Sequence, residues 1–477
     1  MISKINLHKM YFYNKSSNEK FNLLREQYKT FTFEAFHSSY DELGLKIVFD
    51  FHIDQIIHFN PKISIPFNYR FNRFNKPPLD ELDSIIFNMG MVELISYWKC
   101  ICPKKVIIAP YSLNKEQESF WRKIYYNGLG EFFYTNKIQT NIHDFIEFEY
   151  SSTKKFSTVE IPKTEDEMIP IGGGKDSVVT LELLKLMEKK TVPFIINPRG
   201  ASQKSAIAAG YIDDDIIKMV RTIDSTLLDL NSKGYLNGHT PFSAMLAFSG
   251  ILAGKCCGIS NMALSNEASA NEATVIGTNV NHQYSKSFEF ETDFRNYVHR
   301  FISNNFNYYS LLRPLSELQI AALFSQETKY NEIFKSCNKG SKTDIWCCNC
   351  SKCLFTFILL SPFISDEVMI SIYGENLFEK ESLLPILIEL CGLTDEKPFE
   401  CVGTIEEVNI ALCQKIKKSD INNLPYLLKK YTELPVFELY KTKNITQYLN
   451  TYHSEHYLDK KTFNIITKRL EWISSQI

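Results

Sequence analysis

The pattern of apolar and polar positions is mixed in the first third of the chain. Apolar and polar residues alternate over residues 47–53, which predicts a strand with one buried face. Residues 79–97 and 116–126 instead repeat apolar positions at helical spacing. These patterns predict an α+β domain over residues 1–163, and we find no chemical motif in it.

From residue 168 the pattern becomes strand, loop, helix and strand. The apolar run 168–171 leads into a glycine triplet, an amphipathic stretch covers residues 176–190, and a second apolar run covers residues 191–198. Two apolar runs joined by a helix of this length describe a βαβ unit, whose strands are parallel. The predicted fold class is therefore α/β, with a parallel sheet covered by helices in a domain over residues 164–336.

Further elements are predicted within this domain. We expect one helix over residues 205–230 and another from Thr240 and Pro241 to Gly254, because threonine is a good N-cap and proline a good first helical residue. The run 256–264 is expected to form the strand that follows.

The last part of the chain reads as mainly helical, with weak strand signals, over residues 337–477. Its most apolar run, residues 353–364, is shorter than the roughly 20 residues that a membrane-spanning helix needs. This run therefore predicts a buried helix.

Composition narrows the classes of function. The chain has 477 residues, 44% of them hydrophobic, and a formal net charge of −2, so no overall charge favours nucleic acid or an anionic membrane as partner. Because the first residues lack an apolar core followed by small residues, we expect no secretory signal and a cytoplasmic location. Twelve cysteines in such a chain favour thiols or metal ligands over disulfides.

The stretch GGGKDS, residues 172–177, links the first predicted strand to the helix after it. Glycines allow positive φ and let backbone amides approach a phosphate, and the helix dipole adds to that attraction. The spacing matches neither G-x-x-x-x-G-K-[ST] nor G-x-G-x-x-G. The stretch therefore predicts a phosphate site of another kind, and the alternative is a strand-to-helix turn that uses glycine for geometry alone.

This stretch resembles the PP-loop, S-G-G-x-D-S, of ATP pyrophosphatases that cleave ATP to AMP and pyrophosphate. Gly173, Gly174, Asp176 and Ser177 match, whereas Gly172 replaces the common serine. The resemblance implies ATP and Mg²⁺ as cofactors. It implies phosphate contacts from the loop amides and Ser177, a metal or phosphate role for Asp176, and charge screening by Lys175, with residues 172–177 together as the nucleotide site.

Five cysteines lie close together in CNKGSKTDIWCCNCSKC. Cys337, Cys347, Cys350 and Cys353 have a spacing suited to tetrahedral zinc, and Cys348 would break that spacing. Four thiolates leave no position for water, so the expected Zn²⁺ is structural. Reduced core cysteines are the alternative. A similar cysteine set follows the PP-loop domain of the 7-cyano-7-deazaguanine synthase family.

Polar side chains crowd the region after the strand predicted at 256–264. In an open α/β sheet, ligands bind at the carboxyl ends of the strands. Glu267 and Glu272 are therefore candidates for metal binding or proton transfer, and His282 for acid–base chemistry near neutral pH. Each of these residues taken alone is also typical of a solvated loop.

Several strings in this half of the chain carry a closer resemblance. GHTPFSAMLAF, LSNEASANEAT, VNHQYSKSFEFE, CSKC before an apolar helix, and KPFECVGTIEE are similar to the UDP-N-acetylmuramoyl-L-alanyl-L-glutamate epimerase family, a PP-loop relative. The likeness runs from about Met91 to Leu412. It implies an isomerase of peptidoglycan precursor synthesis that adenylates the terminal L-glutamate, releases AMP and pyrophosphate, and inverts Cα to give D-glutamate.

Such a reaction needs two proton-handling groups on opposite faces of Cα. The candidate catalytic residues are Asp176, Glu267, Glu272, His282 and His239. The candidate substrate-binding residues are Arg199, Asn266, Asn281, Tyr284 and Lys286, of which Arg199 and Lys286 can neutralise substrate carboxylates or equally be surface charges.

Two other functions compete with this hypothesis. One is a PP-loop ligase that modifies a nucleobase or tRNA, although the chain lacks a basic RNA-binding segment. The other is an ATP-binding sensor without turnover. The expected partners are a UDP-muramoyl dipeptide and ATP, without membrane or nucleic acid.

Overall fold

The structure, a computed structural model, describes residues 16–67, 74–275, 277–278, 280–340 and 343–477. Its eleven strands are β1 Thr30–Tyr40, β2 Gly44–Ile53, β3 Ile57–Phe59, β4 Lys62–Pro66, β5 Lys105–Ile108, β6 Glu147–Tyr150, β7 Glu167–Pro170, β8 Thr191–Ile196, β9 Ile217–Thr222, β10 Asn261–Leu264 and β11 Asn307–Ser310. All eleven strands belong to one sheet.

Helices cover this sheet and form the last part of the chain. They are α1 Ser17–Gln27, α2 Leu79–Trp98, α3 Lys115–Gly128, α4 Gly130–Thr135, α5 Lys175–Leu186, α6 Gly200–Ala208, α7 Ser225–Ser232, α8 Phe242–Cys257, α9 Phe288–Phe301, α10 Glu317–Phe324, α11 Ser351–Leu360, α12 Asp366–Tyr373, α13 Leu384–Leu390, α14 Ile405–Lys417, α15 Tyr426–Thr432, α16 Pro435–Tyr440, α17 Ile445–Leu449 and α18 Lys460–Ser474. The predicted mixed α/β architecture with a helical C-terminal region is thus confirmed.

The sheet has the strand order β11-β10-β7-β8-β9-β4-β2-β1-β5-β6, and β3 pairs with β2. Strands β11, β10, β7, β8 and β9 are parallel to one another. Strand β4 is antiparallel to β9 and to β2, and β2 is antiparallel to β1. The predicted βαβ unit, β7-α5-β8, therefore lies within the parallel part of a mixed sheet.

The order of the parallel strands creates a crevice beside β7. The chain passes from β7 through β8 to β9 on one side, and then returns so that β10 pairs with the other side of β7. Connections that leave in opposite directions open a space at the carboxyl ends of the two strands, where α/β proteins bind ligands. The glycine triplet and the residues after β10 both lie at this point.

Helix α2 shows how the N-terminal part of the sheet is covered. It is apolar on nearly all sides and buried from Ser84 to Trp98. Gly90 allows the helix to approach the sheet closely, since a Cβ there would lie 2.4 Å from the Phe33 ring. The helix packs against β1 and α8 and so joins the early strands to the later ones.

The C-terminal helices pack around α11, which is almost completely buried, as its apolar sequence predicts. Helices α10 and α14 meet at their N-terminal ends. Glu407 accepts hydrogen bonds from Thr404 N at 3.0 Å and from Leu318 N at 2.7 Å, and so caps both helices. These bonds fix the position of Glu317, the first residue of α10.

Two sequence predictions were wrong. The region expected to be one helix over residues 205–230 contains the end of α6, strand β9 and the start of α7, because residues 217–222 pair with β8 and β4. The strand expected over residues 256–264 begins only at Asn261, since α8 continues to Cys257 and ends at Gly258, whose φ is 66°.

The structure does not test the predicted domain limits or the predicted lack of a secretory signal. The domain limits at residues 163 and 336 stay predictions. Strands from both sides of residue 163 belong to one sheet, because β4 pairs with β9. Residues 1–15, on which the absence of a secretory signal was predicted, lie outside the described residues. In the described part of the chain, no helix has both the length and the apolar character needed to span a membrane.

Candidate active site

The glycine triplet forms the turn between β7 and α5. Gly173 has φ 85°, and a Cβ there would lie 2.7 Å from the backbone nitrogen of Ser202. At Gly172, by contrast, a Cβ would meet no atom within 4 Å. The loop thus needs glycine at Gly173, whereas the position that holds serine in the PP-loop pattern has room for a side chain. Ser177 Oγ donates to Gly174 O at 3.0 Å.

Lys175 does not extend into solvent. Its side chain is 1% exposed, and its ammonium group contacts the carboxylates of Asp176 and Glu317. Lys352 lies 3.7 Å from the second of these carboxylates. Burial disfavours the charged form of Asp176, but Lys175 and Lys352 outweigh burial and hold the pKa of Asp176 below its ordinary value. Burial raises the pKa of Glu317.

A second set of charges continues from this cluster. Lys286 Nζ donates to Cys401 Sγ at 3.2 Å. Burial raises the pKa of Glu267, and the charge of Lys286 opposes that shift. Asp176 and Lys286 also stabilise each other's charge. The glycine loop and the polar stretch after β10 therefore form one electrostatic network, as expected from their place at the strand ends.

Two histidines with different proton affinities lie at the far end of this network. The rings of His239 and His282 are 4.4 Å apart between centroids, and His239 Nδ1 lies 3.6 Å from a carboxylate oxygen of Glu131. Burial and the charge of His282 lower the pKa of His239 to about 4. Burial also opposes the charge of His282, but hydrogen bonds with Cys401 and Glu131 raise its pKa to about 9. Near neutral pH one ring is charged and the other is neutral.

Arg313 binds the backbone of the two segments that carry Glu267 and Lys286. Its guanidinium donates to the carbonyls of Glu267 at 2.7 Å and Lys286 at 2.6 Å, and to the carboxylate of Glu291 at 2.8 Å. The side chains of Arg313 and Glu291 are each 1% exposed. Ser310 N and Oγ, at the end of β11, also donate to Glu291, at 2.9 and 2.7 Å. One buried ion pair thus links β11 to the two segments that carry Glu267 and Lys286.

The other predicted site residues lie around this network. Glu272, which was expected to handle protons, is 40% exposed and forms an ion pair with Lys397 at 2.5 Å. Asn266 Nδ2 donates to Ser310 Oγ at 3.1 Å, and Asn281 Nδ2 donates to a backbone carbonyl, that of Ala270, at 2.8 Å.

Tyr284 lines a separate surface cavity of about 510 Å³, together with Asn281 and Asn271. Arg199 follows the carboxyl end of β8 and precedes α6, and its backbone nitrogen donates to Ser202 Oγ at 3.1 Å. These contacts place Arg199 beside the glycine loop, because Ser202 also approaches Gly173.

Sequence reasoning missed five members of the site: Glu131, Arg313, Glu317, Lys352 and Cys401. Cys401 lies inside KPFECVGTIEE, one of the strings on which the family resemblance rests, so that resemblance could have marked it as a site residue. Glu131 lies in the part of the chain where no motif was found, and no local pattern marks it.

The cysteine cluster is compact. The sulfurs of Cys337, Cys347, Cys350 and Cys353 all lie within 4.8 Å of one another, and three of the separations are 3.9, 3.8 and 3.5 Å. Zinc–sulfur bonds of about 2.3 Å require tetrahedron edges of about 3.8 Å, so these thiols fit Zn²⁺. Cys348 Sγ instead donates to Tyr373 O at 3.3 Å.

Comparison with known families identifies the group to which the chain is related. The family model for the MurL N-terminal domain matches residues 22–311, and that for the MurL C-terminal domain matches residues 333–443. The chain belongs to the MurL family. The match to the N-terminal model covers β1–β11 and the glycine loop, and the match to the C-terminal model covers the cysteine cluster and Cys401.

Three curated relatives of this MurL chain carry the name UDP-N-acetyl-alpha-D-muramoyl-L-alanyl-L-glutamate epimerase. The protein of Xanthomonas oryzae pv. oryzae is 35% identical over 68% of this chain and 72% of its own length. That of a Micromonospora species is 31% identical over 71% and 76%, and that of Salinispora tropica is 33% identical over 70% and 75%. The resemblance found in the sequence is thus confirmed. No solved structure matches the chain.

Gly172 and Gly173 should differ in how strongly substitution affects stability. Gly173→Ala should lower the free energy of unfolding by about 1–3 kcal/mol, because a side chain at positive φ is strained and its Cβ would collide with the Ser202 backbone. The matched control is Gly172→Ser, which should change stability by less than about 0.5 kcal/mol. Urea unfolding measures both, and equal stability of the two variants would contradict the assigned loop conformation.

The Arg313 ion pair makes a second stability prediction. Arg313→Met should lower the free energy of unfolding by about 3–5 kcal/mol, since it leaves the Glu291 carboxylate buried and unpaired. Arg300→Met is the control, because Arg300 is 58% exposed in its pair with Glu116, and its loss should cost less than about 1 kcal/mol. Calorimetry and denaturant melts test the difference, and similar losses in both variants would refute the role of Arg313.

Proposed function

We propose that this chain epimerises the terminal L-glutamate of UDP-N-acetylmuramoyl-L-alanyl-L-glutamate to D-glutamate, in the synthesis of peptidoglycan precursors. The names of its relatives and its membership in the MurL family support this substrate and reaction. The observation that carries the proposal is structural. The glycine loop and a set of acid–base side chains form one network at the carboxyl ends of β7 and β10.

The reaction needs activation of the glutamate carboxylate. Removal of the Cα proton beside a negative charge is very unfavourable, so we propose that the carboxylate is first adenylated, with release of pyrophosphate and later AMP. ATP, when bound, supplies the adenylyl group that masks this charge. In this proposal the amides of residues 172–177 bind phosphate at the N-terminus of α5, and Asp176 organises Mg²⁺ or phosphate.

The topology supports membership in the PP-loop superfamily. The parallel strands have the order β9-β8-β7-β10-β11. The glycine loop follows β7, the first of these strands along the chain, and lies where the strand order reverses. This is the position at which doubly wound folds bind nucleotides. The matching residues are Gly173, Gly174, Asp176 and Ser177.

The charges of the network suit an anionic substrate. Lys175, Lys286 and Lys352 favour the charged forms of Asp176, Glu267 and Glu317. Because Lys175 is enclosed by two carboxylates, we assign it to holding the loop and Asp176 in place. Lys286 is the better candidate for neutralising a substrate carboxylate. Small anionic partners of this kind agree with a chain of net charge −2, which does not favour nucleic acid.

We also propose that the four-cysteine cluster holds a structural Zn²⁺. The fit of the sulfur separations to a zinc tetrahedron supports it, and four thiolates leave no position for a catalytic water. Helix α11 begins at this cluster, directly after Cys350, and carries Lys352. The metal would therefore stabilise the helix that brings Lys352 to the network.

The decisive experiment is incubation of the purified protein with Mg²⁺, ATP and UDP-N-acetylmuramoyl-L-alanyl-L-glutamate in D₂O. We expect release of AMP and pyrophosphate, deuterium at the glutamate Cα, and D-configuration in the product. Mass spectrometry, ³¹P NMR and chiral analysis measure these three results. Asp176→Asn should lower AMP formation by about 100-fold or more, because it removes the carboxylate charge that organises Mg²⁺ in this proposal.

Other outcomes discriminate between the alternatives. AMP formation only with a nucleobase or tRNA acceptor would support a PP-loop ligase and refute the epimerase. ATP binding without AMP formation for any acceptor would support a sensor. Deuterium incorporation without ATP would refute the proposed activation by adenylation.

Metal analysis tests the zinc proposal. We expect about one Zn²⁺ per chain by plasma mass spectrometry, and loss of that zinc with a lower melting temperature in Cys350→Ser, because a structural metal contributes directly to folding. Cys348→Ser is the matched control and should keep the metal, since its thiol bonds Tyr373 O. Protein that is folded but zinc-free after growth with ample zinc would overturn the proposal.

A further inference from the structure

We propose that Cys401 is one of the two groups that exchange a proton with the glutamate Cα, and that Lys286 and His282 hold its sulfur as a thiolate. This inference rests on the proposed epimerase function and names a residue for it. Cys401 lies between α13 and α14, in a part of the chain where sequence reasoning assigned no site residue.

The surroundings of the sulfur are built from three separate parts of the chain. Lys286 Nζ donates to Cys401 Sγ at 3.2 Å, and the His282 side chain also hydrogen-bonds to the sulfur. Lys352, from α11, donates to the Cys401 carbonyl and adds a further positive charge near the sulfur. Glu267 is an acidic group that interacts with the thiol, and it also interacts with Asp176. Lys286, His282 and Lys352 therefore favour the thiolate, whereas Glu267 opposes it.

Burial and charge act in opposite directions on this thiol. Burial alone raises the pKa of a cysteine, as it does for Cys100, whose pKa rises to about 12. At Cys401 burial also opposes ionisation, but Lys286, His282 and Lys352 outweigh it and lower the pKa to about 6. A thiolate thus predominates at pH 7 and is lost as the pH falls below about 6.

His282 is positioned by a third group. Its Nδ1 contacts the Glu131 carboxylate, and the same ring interacts with the Cys401 sulfur. The order carboxylate, imidazole, thiol is the arrangement that activates cysteines in enzymes. Glu131 and His282 are positioning residues in this scheme, and Cys401 is the group that meets the substrate.

The chemical step requires no oxidant or additional reactant. The thiolate takes the Cα proton of the activated glutamate, so that an S–H bond forms, the Cα–H bond breaks and the electron pair enters the enolate. A protonated side chain on the opposite face then gives its proton to Cα, which inverts the centre. The roles exchange in the reverse direction. General acid–base catalysis of this kind contributes about 10²–10⁴-fold to a rate.

Substitution of Cys401 should separate activation from proton transfer. In Cys401→Ala and Cys401→Ser we expect AMP and pyrophosphate release to persist, while deuterium incorporation into one of the two diastereomeric substrates falls about 10²–10⁴-fold. Cys413→Ser is the control, because its thiol is buried beside Tyr431 in the C-terminal helices and should not affect exchange. Deuterium exchange within threefold of wild type for both isomers would overturn the proposal. Failure of the wild type to form AMP would count against the proposed function instead.

Alkylation of the wild-type protein tests the thiolate independently of turnover. Cys401 is partly exposed, whereas most of the other described thiols are buried, so iodoacetamide and peptide mass spectrometry can follow it between pH 5 and 9. We expect the rate to reach half its maximum near pH 6. Lys286→Met should shift this midpoint towards the ordinary value of about 8.5 and slow modification at pH 6.5 by about tenfold or more. A wild-type midpoint above pH 8 would refute a thiolate held by Lys286 and His282.

Discussion

The buried ion pair between Arg313 and Glu291 holds the site in place. The guanidinium donates to carbonyls in two loops that are 19 residues apart along the chain, those of Glu267 and Lys286. A planar group with fixed donors suits this task, because each bond constrains the direction of the others. Since Glu291 is also bound to the end of β11, the loops that carry Glu267 and Lys286 take their positions from the sheet itself.

Charge balance is the second constraint on the site. Burial of an ionised side chain is unfavourable unless the charge is paired. In this network Lys175, Lys286 and Lys352 lie among three carboxylates and a thiol. Hydrogen bonds with Cys401 and Glu131 keep the His282 ring charged, whereas burial and the charge of His282 keep the His239 ring neutral. An anionic substrate entering this network would exchange partners with groups that are already charged, so binding requires little change in protonation.

Local sequence patterns predicted several of the helices and strands around the site. The helix after the glycine loop and the strands on either side of it were expected from periodicity, and the buried helix expected from the apolar run 353–364 lies at Ser351–Leu360. The region 205–230 failed because its polar triplet Asp213–Asp215 was read as part of a helix, whereas the apolar residues after it find partners in β8 and β4. Pairing between distant strands overrides local propensity in such cases.

Features that depend on short spacing along the chain could be predicted without the fold. The glycines at 172–174 and the cysteines from 347 to 353 are close in the chain, so backbone geometry alone brings their groups together. Which distant side chains share the site, by contrast, depends on how the whole chain folds. Glu131, Glu317 and Cys401 meet the histidines and lysines through the packing of helices on one sheet and the burial of paired charges. Separations of more than a hundred residues leave no periodic trace, because burial of the whole core, and not local geometry, closes those distances.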